Sequence, residues 1–313
     1  MLKQRVITAL LLLALFTGTL SVSAAWPFSA LTLLLIGAAG WEWSRLCGVT
    51  GMVQWVQGLA SVTVAIVLAE FMGLDGVAQL AGGVTDHAVS LALAHHVHQA
   101  GRALAGFVVS AWVWWLALLI WVVGGAWALR FGSTSWKRIP AFVRMGLGVV
   151  VLAVAWLALA EGRGQGVNFL LSMLVLVWAA DIGAYFGGRA LGRRKLAPSI
   201  SPGKSWEGVW AGFVAVVLVA SLWIWFDRSV SVDSPSLYSH LLQGLGPVGM
   251  ALALMFLTAM SVVGDLFESL IKRQAGVKDS SQLLPGHGGV LDRIDALLPV
   301  LPIQMALLSL CHA

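Results

Sequence analysis

Residues 246–264 read GPVGMALALMFLTAMSVVG and run without a break into 265–273, DLFESLIKR. The first part carries no ionisable side chain and is long enough to cross a ~30 Å hydrocarbon core, which takes about 17–25 residues. The second part brings Asp265, Glu268, Lys272 and Arg273. A polar loop follows, QAGVKDSSQLLPGHGGVLDRID at 274–295, and then another apolar run at 296–312. So many charges at the edge of an apolar helix, in a chain only 11% charged and 59% hydrophobic, point to a charged ligand bound there.

Outward from this stretch the apolar pattern repeats. Runs near 6–22, 26–43, 53–73, 104–129, 145–161, 167–186, 207–226, 246–264 and 296–312 predict about nine transmembrane helices. A mean hydropathy of +0.89 excludes an ordinary soluble globule. No soluble domain-sized segment remains. The expected fold is all-α, a polytopic helix bundle forming one membrane domain over 1–313, with 1–140 as scaffold and 141–313 carrying the site. The first run also fits a signal peptide, with Lys3 and Arg5 before it and Val22-Ser23-Ala24 as a cleavage-like end.

With the N-terminus in the cytoplasm, all but Arg102, Arg163 and Arg228 of the 19 Lys/Arg fall on the cytoplasmic side. This bias predicts N-in, C-out in a cytoplasmic (inner) membrane, with the site facing the cytoplasm. The pI of about 9.6 then reflects orientation and anionic headgroups, not nucleic acid. Cys47 and Cys311 are expected near opposite faces, too far apart for a disulfide.

Several features have bland readings. Trp41-Glu42-Trp43-Ser44-Arg45 reads as an interfacial anchor with a local ion pair, a substrate-facing Glu42 being the alternative. Asp86-His87 and His95-His96-Val97-His98 lack the partners of a ligand set and read as part of a surface amphipathic helix. The loop 130–144 reads as a solvated basic anchor. Gly203-Lys204-Ser205 invites a phosphate-loop reading, but the required earlier glycine is Pro198 and no strand is expected before it. What survives is a hydroxyl-rich turn with Ser201, Lys204 and Ser205 at a helix N-terminus, suited to phosphate or to simple capping. Asp181 and Tyr185, four apart, can face the bundle interior together. An aspartate there costs roughly 2.5–3.5 kcal/mol and needs a partner: a metal, a cation, a headgroup or the Tyr185 hydroxyl.

Asp265, Glu268, Ser269 and Lys272 lie on one helical stripe, within about 11 Å along the axis. Gly264 permits close backbone approach beside the first carboxylate. Beyond it, Gly286, Gly288 and Gly289 around His287 let backbone N–H groups converge on an anion. Asp292 and Asp295 follow at i, i+3. Two aspartates from two helices plus a nucleotide suit Mg²⁺, which prefers carboxylate and phosphate oxygens.

The spacing Ser269-x2-Lys272-Arg273-x4-Lys278-Asp279, continuing to Pro285-x-His287-Gly288-Gly289-x2-Asp292-Arg293-x-Asp295, closely resembles the phosphatidate cytidylyltransferase (CDP-diacylglycerol synthase) family. The likeness extends upstream to Asp181-x-Gly183-Ala184-Tyr185 and Ser201-Pro202-x-Lys204-Ser205-Trp206-Glu207-Gly208, where the family more often has Thr at 205. It therefore covers about 181–295. It implies transfer of a cytidylyl group from CTP to phosphatidate, with Mg²⁺ required and K⁺ often assisting, at a membrane and in a possible homodimer. On this reading Asp265 and Asp292 hold the metal, with Asp295 and Glu268 behind them and Asp181 a site for a monovalent cation. Lys272, Arg273, Lys278 and Arg293 neutralise phosphates, and His287, Gly288 and Gly289 shape the phosphate loop. Ser201, Lys204, Ser205 and Ser269 bind phosphate oxygens. A CTP-dependent polyprenol or phytol kinase would share the helices and the nucleotide. A transporter should show inverted halves, and no internal repeat is present.

Overall fold

Two helices near the middle of the chain each carry glycines four residues apart, Gly183 and Gly187 on one, Gly208 and Gly212 on the other. Helices meet closely through such pairs because no side chain keeps the backbones apart. In the computed structural model, which describes residues 2–72 and 108–311, they do. A Cβ on Gly212 would lie 2.7 Å from the Ala180 carbonyl oxygen, and one on Gly183 would lie 3.0 Å from the Gly212 Cα.

The described helices are α1 (Leu2–Leu20), α2 (Trp26–Leu46), α3 (Met52–Phe71), α4 (Val108–Leu119), α5 (Gly125–Arg138), α6 (Ala141–Gln165), α7 (Val167–Leu191), α8 (Trp206–Ser229), α9 (Leu237–Gln274), α10 (Leu291–Ile294) and α11 (Leu297–Ser309). A π-helical turn at Ile120–Gly124 joins α4 to α5. Among the described residues six helices are long and apolar enough to cross a membrane: α3, Ala111–Gly132, α6, α7, α8 and α9. The expected first, second and last spans are helical but fall outside this group. Helix α11, at 13 residues, extends only about 20 Å. Asp86, His87, His95, His96, His98 and Arg102 lie outside the described residues.

The chain divides into two compact units, each built from separated stretches: 1–114, 140–164 and 279–292 in one, 115–139, 165–278 and 293–313 in the other. In the first, α2 and α3 pack through Gly37, Gly40 and Gly58. Helix α2 is tied to α6 by indoles, Trp43 Nε1 donating to the Arg144 carbonyl (2.9 Å) and Trp156 Nε1 to Thr32 Oγ1 (3.0 Å). A buried indole N–H needs such a partner. Arg144, expected in a solvated basic loop, is instead buried on α6 and donates to the Cys47 carbonyl, while Arg130, Lys137 and Arg138 are exposed. Cys47 and Cys311 are free thiols.

In the second unit, α7 and α8 are joined by a two-stranded antiparallel hairpin, β1 (Lys195–Ala197) and β2 (Ser201–Ser205), an addition to the all-α expectation. Glu207 closes its base, accepting from the backbone N–H groups of Arg193 and Arg194. Exposed Leu218, Leu222 and Trp225 on α8 are apolar surface of the kind a bilayer covers. Helix α9 bends at Gly246 (φ 69°) just before Pro247, where a proline cannot continue the ladder. Its start is held by Ser236, which caps the Ser239 N–H. Asp227 braces that cap, accepting from Ser236 N and Oγ, Ser239 Oγ and Asn168 Nδ2. Asp227→Ala strands these donors and should cost about 1–3 kcal/mol of stability, seen as a lower thermal midpoint in detergent. An unchanged midpoint would remove this role.

Candidate active site

The stripe on α9 is fixed from behind. Leu266, Phe267, Leu270 and Ile271 are buried, and Trp136 and Trp121 meet the Phe267 ring edge-on at 5.2 and 5.5 Å. A helix locked on that face has no freedom to rotate its polar face away. Gly264 lets α9 press against the 295–299 segment, and a Cβ there would lie 2.5 Å from the Asp295 carbonyl oxygen.

Asp265 is the centre of the resulting cluster. Lys204 on β2 places its ammonium 2.6 Å from Asp265 Oδ2, and Ser269 Oγ donates to Oδ1 over a long 3.4 Å. Asp295 accepts from the Ala296 N–H at 2.8 Å. Burial first, and then the Asp265 carboxylate, push the Asp295 carboxyl up to about 7, against the pull of Lys272 and Lys204. Lys204 and Asp265 are also the charged groups acting on Asp181. Glu268 is committed to an ion pair with Lys272 one turn away, and its side chain is almost fully buried. Arg273, Lys278 and Arg293 are exposed cations.

Two expectations need correction. Tyr185 does not turn inward with Asp181. Both are exposed, and the Tyr185 hydroxyl accepts from Arg189 (3.4 Å) while its ring meets Phe186. The reason is the glycine face of α7, which takes the inward position instead. Ser205 is buried and caps α8, its Oγ accepting from the Gly208 N–H at 3.2 Å, as the capping alternative held. Ser201 is half-buried on β2 opposite Ala197.

The glycine loop belongs to the first unit. His287 N–H donates to the Leu284 carbonyl and Leu284 N–H to Gly288, a turn that needs the positive φ of Gly286 (77°) and Gly288 (87°). Asp292 organises it: Oδ2 accepts from Gly289 N (2.7 Å), Ser280 N (3.0 Å) and Ser280 Oγ (2.9 Å).

The residue that sequence reasoning misjudged is Glu42. It forms no local anchor with Arg45. It is fully buried and accepts from Ser281 Oγ, Val290 N (3.0 Å), Ser280 Oγ (3.2 Å) and Leu291 N (2.6 Å). The signal was present in the carboxylate itself, set between two indoles in an apolar helix, where the cost of burial demands partners.

Among the described residues, no three His, Cys, Asp or Glu side chains group closely enough to hold a metal ion by themselves. Asp265, which follows Gly264 on α9, and Asp295, whose backbone packs on Gly264, are two carboxylates of the kind Mg²⁺ accepts. That ion takes one or two carboxylates and completes its shell with water and substrate phosphates.

These features define a helical protein with spans fit for a bilayer and a carboxylate–lysine cluster suited to handling phosphates. The cytidylyltransferase family profile matches residues 3–311, and the chain belongs to that family. It is 38% identical over 310 residues to a phosphatidate cytidylyltransferase of Pseudomonas aeruginosa, covering 98% of this chain and 97% of that one. It is 36% identical to the protein of the same name from Haemophilus influenzae, over 96% of each. A Bacillus subtilis phosphatidate cytidylyltransferase is 40% identical over 145 residues, 46% of this chain and 49% of its own.

Proposed function

We propose that this protein transfers the cytidylyl group of CTP to phosphatidate, giving CDP-diacylglycerol and pyrophosphate at the cytoplasmic face of the inner membrane. The observation that carries the reading is the near-full-length likeness to proteins of that name. The concentration of Lys/Arg on one side of the expected topology supports the orientation.

A phosphate oxygen of phosphatidate attacks the α-phosphorus of CTP. That P–O bond forms as the α–β anhydride breaks, and pyrophosphate departs. Phosphate monoesters are already anionic near neutral pH, so positioning and charge neutralisation carry the reaction rather than a strong base. Asp265 and Asp295 would hold Mg²⁺, which, when bound, neutralises phosphate charge and orients the leaving group. Lys204 and Ser269 fix the Asp265 carboxylate for that task. Lys272, Arg273, Lys278 and Arg293 supply the positive charge that draws in and steadies the anionic substrates. In the turn through His287, Gly288 and Gly289, the N–H groups of His287 and Gly289 are spent on the Leu284 carbonyl and Asp292, so the Gly288 N–H is the donor proposed to meet a phosphate oxygen.

Purified protein in detergent, given Mg²⁺, phosphatidate and labelled CTP, tests the reading. Label from the α-phosphate should enter lipid, and label from the γ-phosphate should leave as pyrophosphate. A γ-label found on a lipid alcohol, with the α-label left in CDP, would make the protein a kinase and end the proposal.

A further inference from the structure

The loop 279–292 reaches across more than two hundred residues of sequence to rest on one carboxylate. Oε1 of Glu42 accepts from Ser281 Oγ and Val290 N, and Oε2 from Ser280 Oγ and Leu291 N. Two of these donors are hydroxyls before the glycine turn, and two are backbone amides after it. A single group therefore pins both limbs of the turn. Arg45, one helical turn on, adds a long contact of 3.5 Å from Nη1 to the Ser280 carbonyl.

The packing allows no substitute. Glu42 is 0% exposed. A Cβ on Gly289 would run into Ser280 Oγ and Glu42 Oε1, so only glycine lets the loop lie on the carboxylate. Ser280 Oγ is shared, reaching Glu42 on one side and Asp292 on the other. The Asp292 carboxylate thus closes the loop from within, and Glu42 fixes the closed loop to α2. An ionised carboxylate offers acceptors only, which suits a pocket lined by four donors.

From this geometry we infer that Glu42 is a positioning residue for the proposed cytidylyl transfer, holding the His287–Gly289 turn in its phosphate-binding shape without touching substrate. The inference rests on that functional reading, but its structural half can be tested apart from it. Glu42→Gln keeps the volume and turns one acceptor into a donor facing another N–H. Glu42→Asp keeps the carboxylate and withdraws it by one methylene. Ser281→Ala removes a single donor and leaves the carboxylate in place.

The experiment reads hydrogen exchange by mass spectrometry over 279–292, with α3 as the internal control, alongside kcat and KM for CTP in full-length detergent-solubilised protein. Glu42→Gln should raise exchange at Val290 and Leu291 at least about tenfold with α3 unchanged. It should lower kcat about 30- to 100-fold with a smaller change in KM, the scale expected from an ångström of misplacement. Glu42→Asp should recover part of both, and Ser281→Ala should lose about 3- to 10-fold in kcat with a local rise in exchange. Unchanged protection in Glu42→Gln overturns the pinning. Lost protection with wild-type kcat overturns the positioning role. If Glu42→Gln fails to fold, Ser281→Ala decides, and wild-type exchange and kcat there overturn the inference. Absence of cytidylyl transfer by the wild type would sink the functional reading while the exchange arm still measured the pin.

Discussion

Asp265→Asn should lower kcat for cytidylyl transfer by about 100- to 1000-fold, the range found when one preorganised charge-stabilising group is removed. Folding should hardly notice. The Asp265 and Lys204 side chains are 32% and 24% exposed, and pairs open to solvent to that degree contribute about 0–1 kcal/mol. Asparagine keeps an oxygen for Lys204 or Ser269, so the cluster retains a partner while losing the negative charge a cation needs. Initial rates with α-labelled CTP, together with a thermal midpoint, separate the two effects. Activity within tenfold of wild type would remove Asp265 from the metal-binding role. Asp292→Asn provides the contrast. Asp292 Oδ2 collects two backbone N–H groups and a hydroxyl, so its loss should loosen the loop as well as slow the reaction.

The helices could be read from the sequence because a bilayer imposes length and polarity on each segment by itself. Every apolar run expected to be helical is helical among the described residues, though only six helices there are both long and apolar enough to span a membrane. The α9 stripe was legible for a related reason: periodicity is local, and the buried faces at Leu266, Phe267, Leu270 and Ile271 follow from it. The hairpin was not, since Ser201-Pro202-Gly203-Lys204-Ser205 has no strand propensity. It exists because α7 and α8 meet through paired glycines and leave a short connection that must turn back on itself. Those glycine pairs stand in the sequence but were not read there as a helix contact. Glu42 was misjudged for a third reason. It owes its role to partners remote in sequence, Ser280 through Leu291, and no local pattern encodes such pairings. A metal role was expected of Asp292, and its Oδ2 accepts from Ser280 and Gly289 within its own loop.

The same dependence on remote packing makes Gly264 a sensitive position although it carries no functional group. A methyl added there would lie 2.5 Å from the Asp295 carbonyl oxygen and 2.8 and 2.9 Å from Cγ and Cδ of Pro299. None of these can swing aside, for one is backbone and the others belong to a ring. Helix α9 or the 295–299 segment must therefore retreat, at about 1–3 kcal/mol for overpacking. The retreat also separates Asp265 from Asp295, so Gly264→Ala should cost about 100-fold in kcat, where displacement by an ångström is enough. Gly146→Ala on α6 is the control, because a Cβ there meets nothing within 4 Å. It should gain up to about 1 kcal/mol from helix propensity and keep full activity. Thermal midpoints and α-label transfer measured side by side decide the matter. If Gly264→Ala matched Gly146→Ala in both, the close approach of α9 to the 295–299 segment would play no part in aligning the two carboxylates.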